Sequence, residues 1–170
     1  MNTNWLKYSL LFVLIVMLQI WILNKIHLFG FATPLFYTYF ILKLPANMGR
    51  NPLIITAWFL GLVIDLFTYT WGFNMLACTV MGFSRYYILD AFAPRGMANS
   101  FIPSSETFGL SLFMRYAAVL VVFHHIVLFT VESFTFFNIV ALVSGIAGSA
   151  ILTLLLIFGT EQLNLGFFKK

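Results

Sequence analysis

The sharpest chemical feature of this sequence is Asp65, a carboxylate set inside the apolar run Gly61-Leu62-Val63-Ile64-Asp65-Leu66-Phe67. An acidic residue inside a membrane helix costs roughly 2.5–3.5 kcal/mol on insertion scales and almost always faces protein or a water-filled cavity. Two roles follow for it: a ligand, proton or partner site, or a hydrogen bond that ties its helix to a neighbour. Gly61, one turn earlier on the same face, lets a second helix approach closely. His124 and His125 stand at a similar depth in a later apolar run, so either can meet Asp65 if the two helices are neighbours. Adjacent helical residues point about 100° apart, so the two imidazoles cannot chelate one ion together, and no metal site is expected. The one cysteine, Cys78, lies in an apolar run and reads as a small buried thiol. No Gly-x-Ser-x-Gly elbow, His-Glu-x-x-His helix, Walker loop or pair of membrane carboxylates appears. The chain therefore reads as non-enzymatic, with no catalytic residue and no cofactor.

The elements that position these residues must be membrane helices. Of 170 residues 62% are hydrophobic and 8% charged, against about 25% charged in ordinary soluble domains. Crossing the hydrocarbon layer takes about 20 helical residues, with about 17 as the lower limit. Six stretches come near that length: Leu6 to Leu23, Leu28 to Leu44, Leu53 to Tyr69, Phe73 to Leu89, Leu110 to Thr130 and Phe136 to Gly159. These uninterrupted runs lack the alternation of a membrane barrel, so the fold class is an all-α bundle of six transmembrane helices in one domain, residues 1–170. The first stretch has no small-x-small cleavage site and is expected to be retained.

Lysine and arginine favour cytoplasmic loops. With six spans, Lys7, Lys43, Arg50, Arg85, Arg95, Arg115, Lys169 and Lys170 fall on the side of the N-terminus and only Lys25 falls opposite, which sets both termini in the cytoplasm. The net charge of +4 is thus a topology signal, not a nucleic-acid patch. Arg85, Asp90, Arg95, Glu106 and Arg115 lie in and around the one long connection, Asp90 to Gly109, and read as snorkelling and loop ion pairs, with an acidic partner or lipid headgroups as the alternative. Glu132, Lys25 and Glu161 read as solvated helix ends. In the last stretch Ser144, Gly145, Gly148 and Ser149 form overlapping small-xxx-small pairs, suited to packing within the bundle or to a homodimer seam. Trp5, Trp21, Trp58 and Trp71 read as interfacial anchors, and the 21 phenylalanines as lipid-facing bulk.

The run from Gly61 to Phe67, followed by Gly72-Phe73-Asn74 at the opening of the next helix, resembles the rod-shape-determining protein MreD family. Leu18-Gln19 in the first span, and Pro34 with Phe36, Tyr37 and Tyr39 in the second, fit the same pattern. The His124-His125 pair and the phenylalanine-rich turn before the last span do not. The resemblance implies a scaffold of the bacterial cell-elongation machinery in the cytoplasmic membrane. Its partners would be an MreC-like bitopic protein, a RodA-like glycosyltransferase with its penicillin-binding transpeptidase, and the MreB filament. The family is also similar in fold to the substrate-binding S components of energy-coupling-factor transporters. That likeness keeps open a second reading, a small-molecule-binding membrane subunit with an outward-open polar pocket in which Asn74, Asp65 and the two histidines are the lining candidates. Gly61, Asp65, Gly72, Asn74, His124, His125, Gly145 and Gly148 are the expected packing or partner-binding residues.

Overall fold

The structure, a computed structural model, describes residues 3–28, 32–93, 101–133 and 139–163, with side chains from residue 6 onward. Five long α-helices form its frame: α1 (Thr3–Trp21), α3 (Arg50–Thr68), α4 (Phe73–Phe92), α6 (Leu110–Glu132) and α7 (Ile139–Gln162). Two short ones, α2 (Thr38–Leu42) and α5 (Ser105–Phe108), lie in the connections, and a single 3-10 turn, Leu23–Lys25, follows α1. Among the described residues the only β pairing is an isolated bridge between Leu28 and Ala32.

Four helical segments are long and apolar enough to cross a membrane: Leu6–Lys25, Arg50–Thr68, Leu110–Glu132 and Ile139–Gln162. At 1.5 Å per residue each is about 30 Å long, the thickness of the hydrocarbon layer. Helix α4 matches them in length, but Asn74, Arg85 and Asp90 dilute its apolar character. Leu6, Leu10 and Val13 on α1 stand exposed, as do Val140, Val143, Ile151 and Leu155 on α7. Water would penalise such faces, whereas lipid tails match them.

Helices α3 and α4 form an antiparallel hairpin, α6 packs on α4, and α7 packs on α6. Helix α1 joins through Phe12, whose ring lies 5.3 Å from that of Phe40 and 5.8 Å from that of Phe59. The ends of the helices follow from local sequence. Pro52 sits in the first turn of α3, where its missing N–H costs nothing. Tyr69 turns left-handed (φ 55°) to end α3, and Gly72 (φ 89°) reverses the chain into α4, a conformation that glycine adopts without strain.

The expected second span is the clear departure. Leu28 to Leu44 is not one helix: of its described residues only Thr38–Leu42 are α-helical, and Thr33–Leu35 are irregular. Pro34 restricts the residue before it and removes a donor, which breaks a helix at that point. The segment nevertheless runs through the middle of the bundle, with Tyr37, Ile41 and Leu42 fully buried. The other five long stretches overlap their expected positions, with ends shifted by a few residues. The expected start of the last one, 136–138, lies outside the described residues, as do Arg95, Lys169 and Lys170.

Candidate functional site

Asp65 is buried near the end of α3, and its carboxylate spans the start of α4. Oδ2 accepts the Met75 backbone N–H at 2.8 Å, while Oδ1 accepts the Asn74 backbone N–H at 3.1 Å and the Asn74 side-chain amide at 2.9 Å. The Thr70 hydroxyl donates to Oδ1 as well. The first turn of any helix leaves N–H groups without intrahelical partners and carries the positive end of the helix dipole. Gly72, the residue before α4, has no side chain to satisfy them. Asp65 therefore caps α4 from the preceding helix.

That reach requires the two helices to be nearly in contact, and small residues supply the room. A Cβ on Gly61 would stand 2.5 Å from both the Asn74 carbonyl oxygen and the Met75 Cα. Two turns further along α4, a Cβ on Gly82 would stand 2.7 Å from the Ala57 Cβ. Ala57 with Gly61, and Cys78 with Gly82, are small-xxx-small pairs on facing helices. Sequence reasoning used only Gly61 of these four, although the spacing of the others was visible.

Neither histidine touches Asp65; the link runs through two other side chains. The Tyr37 hydroxyl donates to Asn74 Oδ1 at 2.7 Å and lies 3.4 Å from His124 Nε2. The same His124 Nε2 is 3.8 Å from the Cys78 sulfur, and among the described residues its Nδ1 has no hydrogen-bond partner. Cys78 and His124 are both fully enclosed, so this thiol and imidazole pack together without an opening to a substrate. His125 turns the other way: its Nδ1 lies 2.7 Å from the Val121 carbonyl oxygen, which places the proton on Nδ1, and its Nε2 faces the Thr153 hydroxyl at 3.4 Å. Among the described residues no three His, Cys, Asp or Glu side chains cluster tightly enough to hold a metal ion.

The irregular segment 32–37 is held by side chains from distant helices. Irregular backbone is tolerated at membrane depth only where protein satisfies its polar groups. Ser149 Oγ accepts the Thr33 N–H at 3.0 Å and Thr153 Oγ1 accepts the Leu35 N–H at 2.9 Å. Gln19 does double duty, donating to the Pro34 carbonyl at 2.9 Å and accepting the Tyr37 N–H at 3.3 Å. This explains the small residues of α7: Gly145 and Ser149 are buried inside the bundle, while Gly148 is half-buried. Gln19 and Thr153 were not singled out from the sequence for this role. A glutamine inside an apolar run is itself the signal.

Above Tyr37 and Asn74 a cavity of about 510 Å³ opens at the end of the bundle where α1, α3 and α6 finish and α4 begins. Asn24, Thr33 and Glu132 supply polar wall, and Phe67, Phe73 and Phe129 supply aromatic wall. Asp65, His124 and His125 stand behind this lining and do not form it.

At the opposite end Glu161 and Arg85 differ from expectation, and Lys43 is buried with them. Glu161 is not a solvated end: only 7% exposed, it pairs with Lys43, accepts the Tyr39 hydroxyl at 2.7 Å and accepts the Ser105 N–H at 2.8 Å. Lys43 does not snorkel to water but lies 5.0 Å from the centre of the Phe113 ring. Arg85, 1% exposed, donates to the Leu44 carbonyl and faces that of Leu42 at 3.5 Å, so it serves the open carbonyls at the end of α2. The described part of the long connection is likewise packed: Phe108 is buried, and the Phe101 carbonyl accepts the Ala46 N–H at 2.8 Å. Hydropathy counted these charges as flanks, because a buried partner far along the chain leaves no local trace.

No protein-family model, curated protein or solved structure matches this chain.

Proposed function

We propose that this protein is a non-enzymatic membrane scaffold of the MreD type, serving bacterial cell elongation and peptidoglycan synthesis from the cytoplasmic membrane. In this reading the chain crosses the bilayer six times, five times as a long helix and once as the segment 32–44, with both termini inside. The cavity then faces outward and the Lys43–Glu161 pair lies toward the cytoplasm. Helix faces bind the membrane segments of an MreC-like bitopic protein and of a RodA-like glycosyltransferase with its transpeptidase, and the cytoplasmic loops face an MreB-like filament. The observation that carries this reading is that Gly61, Asp65, Gly72 and Asn74, the residues of the family resemblance, all serve one rigid α3–α4 hairpin. Both Asp65 oxygens are engaged there, which supports a structural role for this carboxylate.

Co-purification in mild detergent with mass spectrometry tests the scaffold. The expected result is recovery of a bitopic periplasmic protein and a glycosyltransferase–transpeptidase pair, and their loss with Asp65→Leu. Recovery of none of them with the unaltered protein overturns the reading. Thiol labelling of single cysteines in a Cys78→Ala background tests the sidedness: a cysteine at position 97 should be protected from impermeant reagent in whole cells, and one at position 27 labelled.

The cavity favours a second reading, a small-molecule-binding subunit of an energy-coupling-factor type transporter. A vitamin-like molecule retained through purification, without the bitopic protein, would replace the scaffold by this function.

A further inference from the structure

The cavity has a chemical character that neither function specifies. Its about 510 Å³ falls within the roughly 300–1,000 Å³ of sites that take small ligands. Its wall carries three ionisable side chains: the Glu132 carboxylate, the His27 imidazole and the Tyr37 phenol, the last already bonded to Asn74. Lys25, the one lysine or arginine at this end among the described residues, does not line it, and no ion pair joins Lys25 to Glu132. Phe67, Phe73 and Phe129 line it as well, Phe67 largely exposed and Phe129 with one face stacked on His125. Aromatic rings beside a carboxylate are the combination that attracts an organic ammonium ion: the ring quadrupoles draw the cation, the carboxylate pairs with it, and no fixed cation competes.

The depth of the mouth narrows the source. Trp21, Tyr69 and Trp71 stand 68%, 93% and 92% exposed at this same end. Exposed tryptophan and tyrosine at one level of a membrane bundle mark the headgroup layer. The opening therefore lies where lipid headgroups and dissolved amines both arrive.

We propose that this cavity binds an organic ammonium group, with Glu132 as its counter-ion and the three phenylalanines as its cage, presented by an ethanolamine lipid headgroup or by a free amine. The inference rests on the membrane placement of the bundle and on neither functional reading, so its failure leaves the co-purification result untouched.

The test uses the full chain in nanodiscs of pure phosphatidylglycerol. Phenethylamine, phenylethanol and phenylacetate are titrated separately by calorimetry, and native mass spectrometry follows lipid retained from discs of mixed phosphatidylethanolamine and phosphatidylglycerol. Saturable binding of phenethylamine, with the neutral alcohol and the anion at least tenfold weaker, assigns a free amine. Retention of phosphatidylethanolamine over phosphatidylglycerol without phenethylamine binding assigns the lipid. In either case Glu132→Gln should weaken binding about tenfold, the loss of one charge-assisted contact, while Glu132→Asp keeps most of it. Saturable binding of the alcohol as tight as that of the amine, failure of both phenethylamine binding and selective phosphatidylethanolamine retention, or Glu132→Gln binding as tightly as the unaltered protein overturns the proposal. The comparison among ligands on the unaltered protein stands even if a variant misfolds.

Discussion

Lys43 and Glu161 form an ion pair with side chains only 4% and 3% exposed, joining the end of α2 to the end of α7. A buried pair is a modest net contributor, because both charges had to leave water, but removing one partner strands the other. We expect Lys43→Met or Glu161→Leu alone to cost about 3–5 kcal/mol. The double variant should cost clearly less than the sum, since no unpaired charge remains. Denaturant unfolding of the four proteins in mild detergent measures this coupling, and additive losses would show that the pair does not act as one unit.

Asp65 should separate shape from charge. Asp65→Leu leaves the Asn74 and Met75 N–H groups without acceptors, at about 1–3 kcal/mol for each buried donor. Asp65→Asn keeps one oxygen and should lose roughly half as much. Hydrogen exchange at those two amides should accelerate in the order aspartate, asparagine, leucine, and an unchanged rate in the leucine variant would remove the capping role.

The two close approaches of the α3–α4 hairpin differ in what they meet. Gly61→Ala drives a methyl against Asn74 and Met75 backbone, which no side-chain change relieves. Gly82→Ala meets the methyl of Ala57, which can be deleted. Each single change should cost about 1–3 kcal/mol by overpacking. Adding Ala57→Gly should restore much of the loss for Gly82→Ala and none for Gly61→Ala, as read by melting temperature in detergent.

The irregular segment depends on side chains that can be replaced singly. Gln19→Leu strips partners from the Pro34 carbonyl, the Tyr37 N–H and the Asn24 side-chain oxygen, whereas Thr153→Val strips the Leu35 N–H and the hydroxyl that faces His125 Nε2. At about 1–3 kcal/mol for each stranded group, the glutamine change should be the worse of the two. Protease susceptibility within residues 32–37 reports the same ranking, and equal resistance would mean the segment is held by packing alone.

What the sequence made legible was whatever has a local cause. Pro52 and Gly72 mark helix ends, the long apolar runs mark four membrane-length helices, and the glycine-to-aspartate spacing of Gly61 and Asp65 marks the hairpin. The stretch from Leu28 to Leu44 was misread because an apolar run of that length looks the same whether it is a helix or an irregular segment sheathed in protein. Pro34 and Gln19 were the dissenting signals. Their meaning rests on Ser149 and Thr153, which lie 116 and 118 residues from the groups they satisfy. Glu161 looked like a solvated end for the same reason: Lys43, its partner, lies far away in sequence, and nothing nearby hints at it.

The side chains that bond the backbone of residues 33–37 come from the first long helix and the last, and this orders events during biosynthesis. While the ribosome is still making the middle of the chain, the Thr33 and Leu35 amides have no hydroxyl to meet, and oil is closed to them. The segment must wait at the translocon or the membrane surface until the last helix has emerged, and then slot between helices already inserted. A nascent chain arrested before Ser149 should therefore leave residues 32–37 open to protease, and release of the remaining helix should close them.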